Sequence, residues 1–183
     1  IVDEAAQKGC NLIVSHHPLI FRKLSRLTGE DYVQRCVMKA LAQGIVILSL
    51  HTNMDNAKGG VNYKIAEKMG LTDVRFMSAK QMDGVEYGSG VVGCFAEPLA
   101  ADDFIILLKR VFGVECVQAN ELLRRPIRTV AICGGSGSFL LDDAANAGID
   151  AFVTGEMHYH EYFGREQQIQ IAVIGHYQSE QFT

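Results

Sequence analysis

Apolar and polar positions along the chain alternate between two spacings, one typical of helices and one typical of strands. In the first half, the helical spacing predicts helices that stop at or just before a glycine, over 1–9, 31–43 and 61–69. Short apolar runs over 11–15 and 45–50 predict strands. The run 45–50 is continuously apolar, as expected for a strand in a sheet that is covered on both faces.

The second half repeats this alternation. Helices are predicted over 101–112, 138–147 and near 156–163, with a last helix begun at His176, and strands over 90–97, 114–118, 127–133, 150–154 and 169–174. The stretch 71–90 contains several glycines and no clear period, so it is interpreted as irregular. Alternating strands and helices predict an α/β fold with mixed sheets flanked by helices. We divide it into a first α/β lobe over 1–77, a linker or former insertion site over 78–89, and a second α/β lobe over 90–183.

Composition narrows the functional classes. Hydrophobic residues make up 48% of the 183 positions, and the net charge of −4 comes from mixed signs without a Lys/Arg run. This pattern gives no basic surface for nucleic acid and no membrane-surface segment, and no apolar run approaches the roughly 18 residues of a spanning helix. The five cysteines are scattered and odd in number, so a cytoplasmic protein is expected. Because the chain begins with Ile-Val-Asp, we expect further protein before residue 1, and more after residue 183.

Polar, metal-binding residue types follow four of the predicted strands. Five of the six histidines lie in these four segments: Ser15–Pro18, His51–Asp55, Gly155–His158 and Gly175–Glu180. Open α/β sheets place ligands at the carboxyl ends of their strands. Imidazole is the commonest side-chain ligand of borderline metals, so the sequence suggests a metal site.

The candidate ligands are more numerous than one open catalytic ion needs. His176 and Glu180 are four residues apart and share one helix face. Three imidazoles and two carboxylates suit two divalent ions about 3.5–4 Å apart, which lower the pKa of a bound water. Zn, Mn, Fe, Co and Ni all match this donor set: His16, His17, Asp55, His176 and Glu180.

Each of these residues also has an ordinary structural interpretation. A single histidine such as His158 or His160 is more often a hydrogen-bonded structural or surface residue. His51 either orients Asp55 or binds metal directly, and we favour the first. Asp55 alone is as compatible with the cap of a turn as with metal binding. The His176/Glu180 pair alone is compatible with a solvated pair on a helix surface. The metal interpretation is favoured over these separate roles, because without a shared site four strand ends would each have acquired such residues independently.

Two glycine-containing loops were also considered. Residues 134–138, Gly-Gly-Ser-Gly-Ser, lie between a strand and a helix, and they fit an anion-binding loop and a tight turn equally well. No Gly-Lys-Ser/Thr follows, so this is not a P-loop. The loop 58–62 is interpreted as a plain loop and helix start.

The chain resembles the NIF-three-like family, whose members are commonly named GTP cyclohydrolase 1 type 2 homologs. Motifs in the order expected for that family cover nearly the whole chain: Ser15–Pro18, His51–Asp55, Cys133–Gly137, Thr154–Glu156 and Gly175–Glu180. The resemblance implies a two-lobed α/β fold with a dinuclear metal centre between the lobes. It also implies a toroidal homohexamer whose central cavity the metal sites face.

Carried over to this sequence, the resemblance implies that His16 and His176 bind one metal ion. It implies that His17 and Asp55 bind the other, and that Glu180 bridges both. Glu156 departs from the aspartate expected after Thr-Gly, outside the ligand set. Family members also start earlier with a Trp-Asp-Asn segment, whereas this chain has no tryptophan. The stretch 78–88 lies where some members carry an inserted domain.

Two functions of different classes follow. The first is a metal-dependent hydrolase acting on a nucleotide-like or phosphate-containing small molecule, with Glu180 as a metal-bridging catalytic residue and His51, Glu156 and His158 in proton transfer or substrate contact. The family name suggests GTP ring opening. The alternative is a non-catalytic metal-binding scaffold or regulator that acts through its oligomeric ring and protein partners. A purely structural metal is the weakest reading, because such zinc sites favour cysteine.

Overall fold

The computed structural model describes residues 1–182. It divides the chain into two compact units, Ile1–Met54 and a second that begins at Asp55. The lobes predicted over 1–77 and 90–183 are a different division and stay a prediction, and residue 183 lies outside the described residues. Within residues 1–182, every helix is too short or too polar to cross a membrane.

The first unit contains a small parallel sheet and two helices. Its elements are α1 (Val2–Gln7), β1 (Leu12–Ser15), α2 (Tyr32–Ala42) and β2 (Val46–Ser49). Helix α2 begins at Asp31, whose carboxylate accepts a hydrogen bond from the backbone N–H of Gln34. Strands β1 and β2 are parallel with Ser15 opposite Ser49, so both strands end at the same edge.

One face of this small sheet is apolar and exposed. Helices α1 and α2 pack on the other face, where Ala5, Ala40 and Ile45 form a core with Ile13 and Ile47. The exposed face carries four large apolar side chains: Leu12, Val14, Val46 and Leu48. The expectation that 45–50 is covered on both faces is therefore wrong for the described residues, because a continuous apolar run does not reveal how many layers cover it.

The second unit is built on a six-stranded mixed sheet. After α3 (Thr52–Asp55), its elements in chain order are α4 (Val61–Met69), β3 (Thr72–Met82), β4 (Val85–Leu99), α5 (Ala101–Phe112), β5 (Gln118–Ala119), β6 (Ile127–Cys133), α6 (Leu141–Asn146), β7 (Ala151–Thr154), β8 (Gln170–Val173) and α7 (His176–Glu180). Short 3₁₀ helices precede α6 and follow β7, at Ser138–Leu140 and Tyr159–Tyr162. The strand order is β3-β4-β6-β7-β8-β5.

The interpretation of 71–90 as irregular was wrong. These residues form β3 and the first part of β4, an antiparallel hairpin that turns at Asp83-Gly84. Most β3 side chains are exposed, so the strand lacks the apolar alternation by which a strand is recognised in a sequence. Gly88 and Gly90, which suggested a linker, lie inside β4. The expectation that an inserted domain once occupied 78–89 stays a prediction.

The parallel strands β6, β7 and β8 form the centre of the sheet and create the edge that carries the site. All residues of β7 and β8 are buried, as in a sheet covered on both faces. In register, Cys133 lies opposite Thr154 and Thr154 opposite Val173, so the three strands end together. The loops that begin at Gly134, Gly155 and Ile174 therefore leave the sheet side by side, as was predicted for the residues that follow 150–154 and 169–174.

Candidate metal centre

Three histidines of the first unit lie together at the carboxyl edge of its sheet. The ring centroids of His16 and His17 are 4.7 Å apart, and the His51 ring lies 5.8 Å from the first and 5.5 Å from the second. The backbone N–H of His51 donates to the carbonyl of His16 at 2.9 Å. The φ of His51 is +43°, a conformation that non-glycine residues adopt rarely and mostly at turns or functional sites.

In the second unit, His176 and Glu180 face each other across one turn of α7. The Nε2 atom of His176 lies 3.1 Å from Oε1 of Glu180, as their i, i+4 spacing predicts. The Glu180 side chain is 10% exposed and that of His176 is 32% exposed. A largely buried carboxylate beside an imidazole nitrogen is a donor pair of the kind that binds borderline divalent cations.

The loop after β6 touches both of these side chains, and it can do so only because residue 135 is glycine. Gly135 has φ +60°, and a Cβ atom built on it would lie 2.6 Å from Oε1 of Glu180 and 3.3 Å from Nε2 of His176. Any larger residue would therefore intrude on the donor pair. Gly155 has a similar role, because a Cβ there would lie 2.8 Å from Ser179 Oγ and 2.9 Å from His176 Cα.

The backbone amides of this loop are already used by protein side chains. Gly134 N donates to Asn62 Oδ1 at 2.8 Å, Gly135 N to Ser179 Oγ at 3.0 Å, and Gly137 N to Thr154 Oγ1 at 3.1 Å. Amides that are satisfied internally cannot also cradle a phosphate. Of the two interpretations left open for 134–138, the structure favours the tight turn.

Buried polar side chains connect the loop to Asp55 and to α7. Asn62 is 2% exposed, and its Nδ2 donates to the backbone carbonyl of Asp55 at 3.0 Å while its Oδ1 accepts from the loop. Ser179, also 2% exposed, accepts from Gly135 and donates to the carbonyl of His176 at 2.7 Å. These bonds tie the three segments that carry Asp55, Gly135 and His176 into one network.

Cys133, the last residue of β6, is held as a neutral thiol. Burial raises its pKa to about 12, and the negative charge of Asp55 contributes to the same shift. In the metal-free chain Cys133 is therefore a neutral thiol near neutral pH.

Glu156, in the loop after β7, contacts His176 from the side opposite to Glu180. Its Oε1 lies 2.8 Å from Nδ1 of His176, and its Oε2 accepts a hydrogen bond of 2.6 Å from the hydroxyl of Ser136. The pKa of Glu156 is lowered, first by the hydrogen bond from Ser136 and then by the one to His176. The carboxylate is therefore ionised at neutral pH.

His158 has a structural role at the start of the short 3₁₀ helix. Its side chain accepts a hydrogen bond from the backbone N–H of Glu161, and the Glu161 carboxylate accepts from His158 N at 2.7 Å. The ring stacks on that of His160 with centroids 5.6 Å apart. This is the ordinary role considered for a single histidine, and a catalytic role of His158 stays a prediction.

A cavity of about 730 Å³ opens at this edge of the second unit. It lies at the ends of β6, β7 and β8, and the loop after α5 closes one side. Its polar walls include Ser136, Glu156, His158, Gln178 and Glu115, and its apolar walls include Val114 and Met157. The described wall residues contain two carboxylates and neither lysine nor arginine.

Comparison with known proteins decides the family. A family model described as Duf34/NIF3 (NGG1p interacting factor 3) matches residues 1–183. The chain belongs to the DUF34/NIF3 family. Within this family, the Clostridium perfringens "GTP cyclohydrolase 1 type 2 homolog" is 33% identical over 98% of this chain and 69% of its own length. The Schizosaccharomyces pombe "Protein NIF3 homolog" is 30% identical over 98% of this chain and 67% of its own.

A solved structure supports the fold of this DUF34/NIF3 chain. The crystal structure of a hypothetical protein from Staphylococcus aureus superposes with a TM-score of 0.86 and 26% identity. The match covers 97% of this chain and 71% of the other. The mixed α/β fold with sheets flanked by helices is thereby confirmed, whereas the metal ligands, the oligomer and the substrate stay predictions.

The sequence analysis missed the polar residues whose hydrogen bonds connect the segments of the candidate site. Asn62 and Ser179 are buried polar residues, and Ser136 reaches Glu156 from the glycine-rich loop. Their partners lie up to 72 positions away, so no local pattern reveals them. The sequence pattern that could have indicated these contacts is Gly134-Gly-Ser-Gly137, because several glycines together indicate that the backbone packs closely against other groups.

Proposed function

We propose that this DUF34/NIF3 chain binds two divalent metal ions and acts as a hydrolase on a nucleotide-like small molecule. His16 and His176 would hold one ion, His17 and Asp55 the other, and Glu180 both. The observation that carries this proposal is the donor pair of His176 Nε2 and Glu180 Oε1, which Gly135 leaves open because it lacks a Cβ. The φ of +60° at Gly135 also favours glycine, so the turn and the space for the donor pair are met by the same residue.

The donor chemistry fits a borderline divalent cation. Imidazole nitrogens and carboxylate oxygens suit Zn, Mn, Fe, Co or Ni. When bound, such ions act as Lewis acids that polarise an electrophile and promote ionisation of water near neutral pH. The buried network of Asn62 and Ser179 holds Asp55, Gly135 and His176 in fixed positions, and preorganisation of this kind is what a metal site requires.

The cavity beside His176 supports a small-molecule substrate and indicates which part of it enters. The described wall residues Glu115 and Glu156 are acidic, and the C-terminal end of α5, which carries negative partial charge, lies at Gly113 in the same wall. An anionic phosphate is disfavoured there. A heteroaromatic ring with N–H donors can pair with a carboxylate and pack on Val114 and Met157, so the base-like end of a nucleotide-like substrate would occupy this cavity.

Two histidines are the remaining candidates for proton transfer. His158 lines the cavity, within reach of a bound ring. His51 lies beside His16 and His17, where it orients the neighbouring groups or exchanges a proton. We propose that either histidine acts as general acid or base.

A second candidate function is a non-catalytic scaffold that works through self-association. The exposed apolar face formed by Leu12, Val14, Val46 and Leu48 favours it, because monomeric proteins rarely expose several large apolar side chains together. Under this proposal the chain would assemble into the cytoplasmic homohexamer implied by the family, and metal would stabilise the assembly.

The test is turnover by the full chain loaded separately with Zn²⁺, Mn²⁺, Co²⁺, Ni²⁺ and anaerobic Fe²⁺. Wild type and Glu180→Gln would be screened against nucleobases, nucleosides and nucleotides, and their mass followed by light scattering. The hydrolase proposal expects turnover by wild type and its loss in Glu180→Gln at unchanged mass. Absence of turnover with every metal would refute it, and a mass that falls on chelation would then support the scaffold.

A further inference from the structure

Glu156 has both carboxylate oxygens engaged by protein groups. Its Oε1 lies 2.8 Å from Nδ1 of His176, and Ser136 Oγ donates to its Oε2 at 2.6 Å. Its backbone is fixed as well, because Glu156 N donates to the carbonyl of Gly135 at 2.9 Å. The same loop that leaves space for the donor pair thus also holds this carboxylate in place.

This arrangement favours a proton on Nδ1 of His176, which lies 2.8 Å from Glu156, over one on Nε2, which lies 3.1 Å from Glu180. An imidazole whose Nδ1–H donates to a carboxylate presents Nε2 with its lone pair, and the carboxylate fixes the orientation of the ring. The Nε2 atom of His176 is the one that faces Glu180 and Gly135. A carboxylate that accepts the N–H of the non-ligating ring nitrogen is the arrangement by which proteins orient metal-binding imidazoles.

We propose that Glu156 is a positioning residue, which fixes the ring and tautomer of His176 for metal binding, and that Ser136 positions Glu156 in turn. This inference rests on the proposed metal function. It differs from a role of Glu156 in proton transfer to substrate, for which a carboxylate needs a free oxygen directed at the reacting group.

The first test is metal affinity of the full chain, measured by competition with a chromophoric Zn²⁺ chelator. Glu156→Ala should weaken binding about 10–100-fold, the usual loss when such a partner is removed. Glu156→Gln retains an acceptor for Nδ1–H and should recover most of that loss, and Ser136→Ala should fall in between. Glu115→Gln is the matched control, since it removes one negative charge from the wall of the same cavity, and it should bind Zn²⁺ like wild type.

The second test needs no metal. In ¹⁵N-histidine-labelled metal-free chain at low temperature, the Nδ1–H proton of His176 should give a downfield NMR signal that is coupled to Nδ1. The signal should disappear in Glu156→Ala and persist in Glu156→Gln and Glu115→Gln.

The two tests separate the two proposals. A wild type that shows the Nδ1–H signal but binds no Zn²⁺ would refute the metal function and leave the Glu156–His176 hydrogen bond supported. Zn²⁺ binding by Glu156→Ala as tight as by wild type would overturn the positioning role even though the metal function stands. Equal losses in Glu156→Ala and Glu156→Gln would overturn it as well, because they would point to the charge rather than to the hydrogen bond.

Discussion

Replacing Gly135 by alanine should weaken metal binding in addition to its cost to folding. The new Cβ would lie 2.6 Å from Glu180 Oε1, whereas the shortest ordinary carbon–oxygen contacts are about 3.3 Å. The carboxylate would therefore have to move by about 0.7 Å. Metal sites tolerate displacements of only about 0.5 Å. With Glu180 only 10% exposed, the displaced side chain has little room, and we expect at least about a 10-fold loss of Zn²⁺ affinity.

The effect of Gly135→Ala on folding can be separated from its effect on metal binding with a matched control variant. Alanine at φ +60° costs about 1–2 kcal/mol, which corresponds to a fall in Tm of about 2–8 °C for a chain of this size. Gly148→Ala carries the same backbone strain at φ +70° with nothing within 4 Å of its Cβ. Both variants should melt lower in calorimetry of the metal-free chain, Gly135→Ala by the larger amount because its Cβ also displaces Glu180. Only Gly135→Ala should lose Zn²⁺ affinity in the chelator titration. Equal Zn²⁺ affinity in the two variants would refute the reasoning.

Three further predictions concern the surrounding network and cavity. Ser179→Ala leaves the amide of Gly135 without its buried acceptor and should lower the free energy of unfolding by about 1–3 kcal/mol in urea titration; an unchanged midpoint would contradict the assigned bond. Burial raises the pKa of Asp150, but hydrogen bonds from Thr129, Arg128 and Arg125 outweigh it and hold the pKa below 3.8. As the pH falls, the unfolded chain binds this proton before the folded chain does, so the extra stability of wild type over Asp150→Asn should be full above about pH 5 and decline below about pH 4. Urea titrations at several pH values would measure this difference in the free energy of unfolding. A difference that does not change with pH would contradict the assigned hydrogen bonds. Glu115→Gln should lower the affinity for a nucleobase, measured by calorimetry, and should change the affinity for inorganic phosphate little. A higher affinity of the variant for the nucleobase would contradict the assigned cavity chemistry.

Much of the sheet could be predicted from the sequence because its strands are short, apolar and buried. The runs 127–133, 150–154 and 169–174 are such strands, and they are β6, β7 and β8. Their parallel register brings the residues after each strand to one edge, which is a topological consequence and not a sequence pattern. The i, i+4 pair of His176 and Glu180 was predictable for a similar reason, since helical spacing alone sets its geometry.

The rest depended on contacts that are distant in the sequence. The β3–β4 hairpin lacks an apolar alternation, because its β3 side chains are mostly exposed and backbone pairing alone defines the strand. The role of Asn62 depends on bonds to Asp55 and Gly134, the second of which is 72 positions away. The glycine-rich loop was ambiguous for a comparable reason: whether its amides bind an anion depends on side chains such as Ser179 and Thr154, which come from elsewhere in the chain.

Anomalous X-ray diffraction of crystals of the full chain grown with Zn²⁺, measured on both sides of the zinc edge, tests the metal centre most directly. We predict two anomalous peaks per chain, one of them bonded to His176 Nε2 and both to Glu180, and none in crystals of the Glu180→Ala variant. Zinc-loaded crystals of wild type with no anomalous peak at His176 or Glu180 would contradict the central claim.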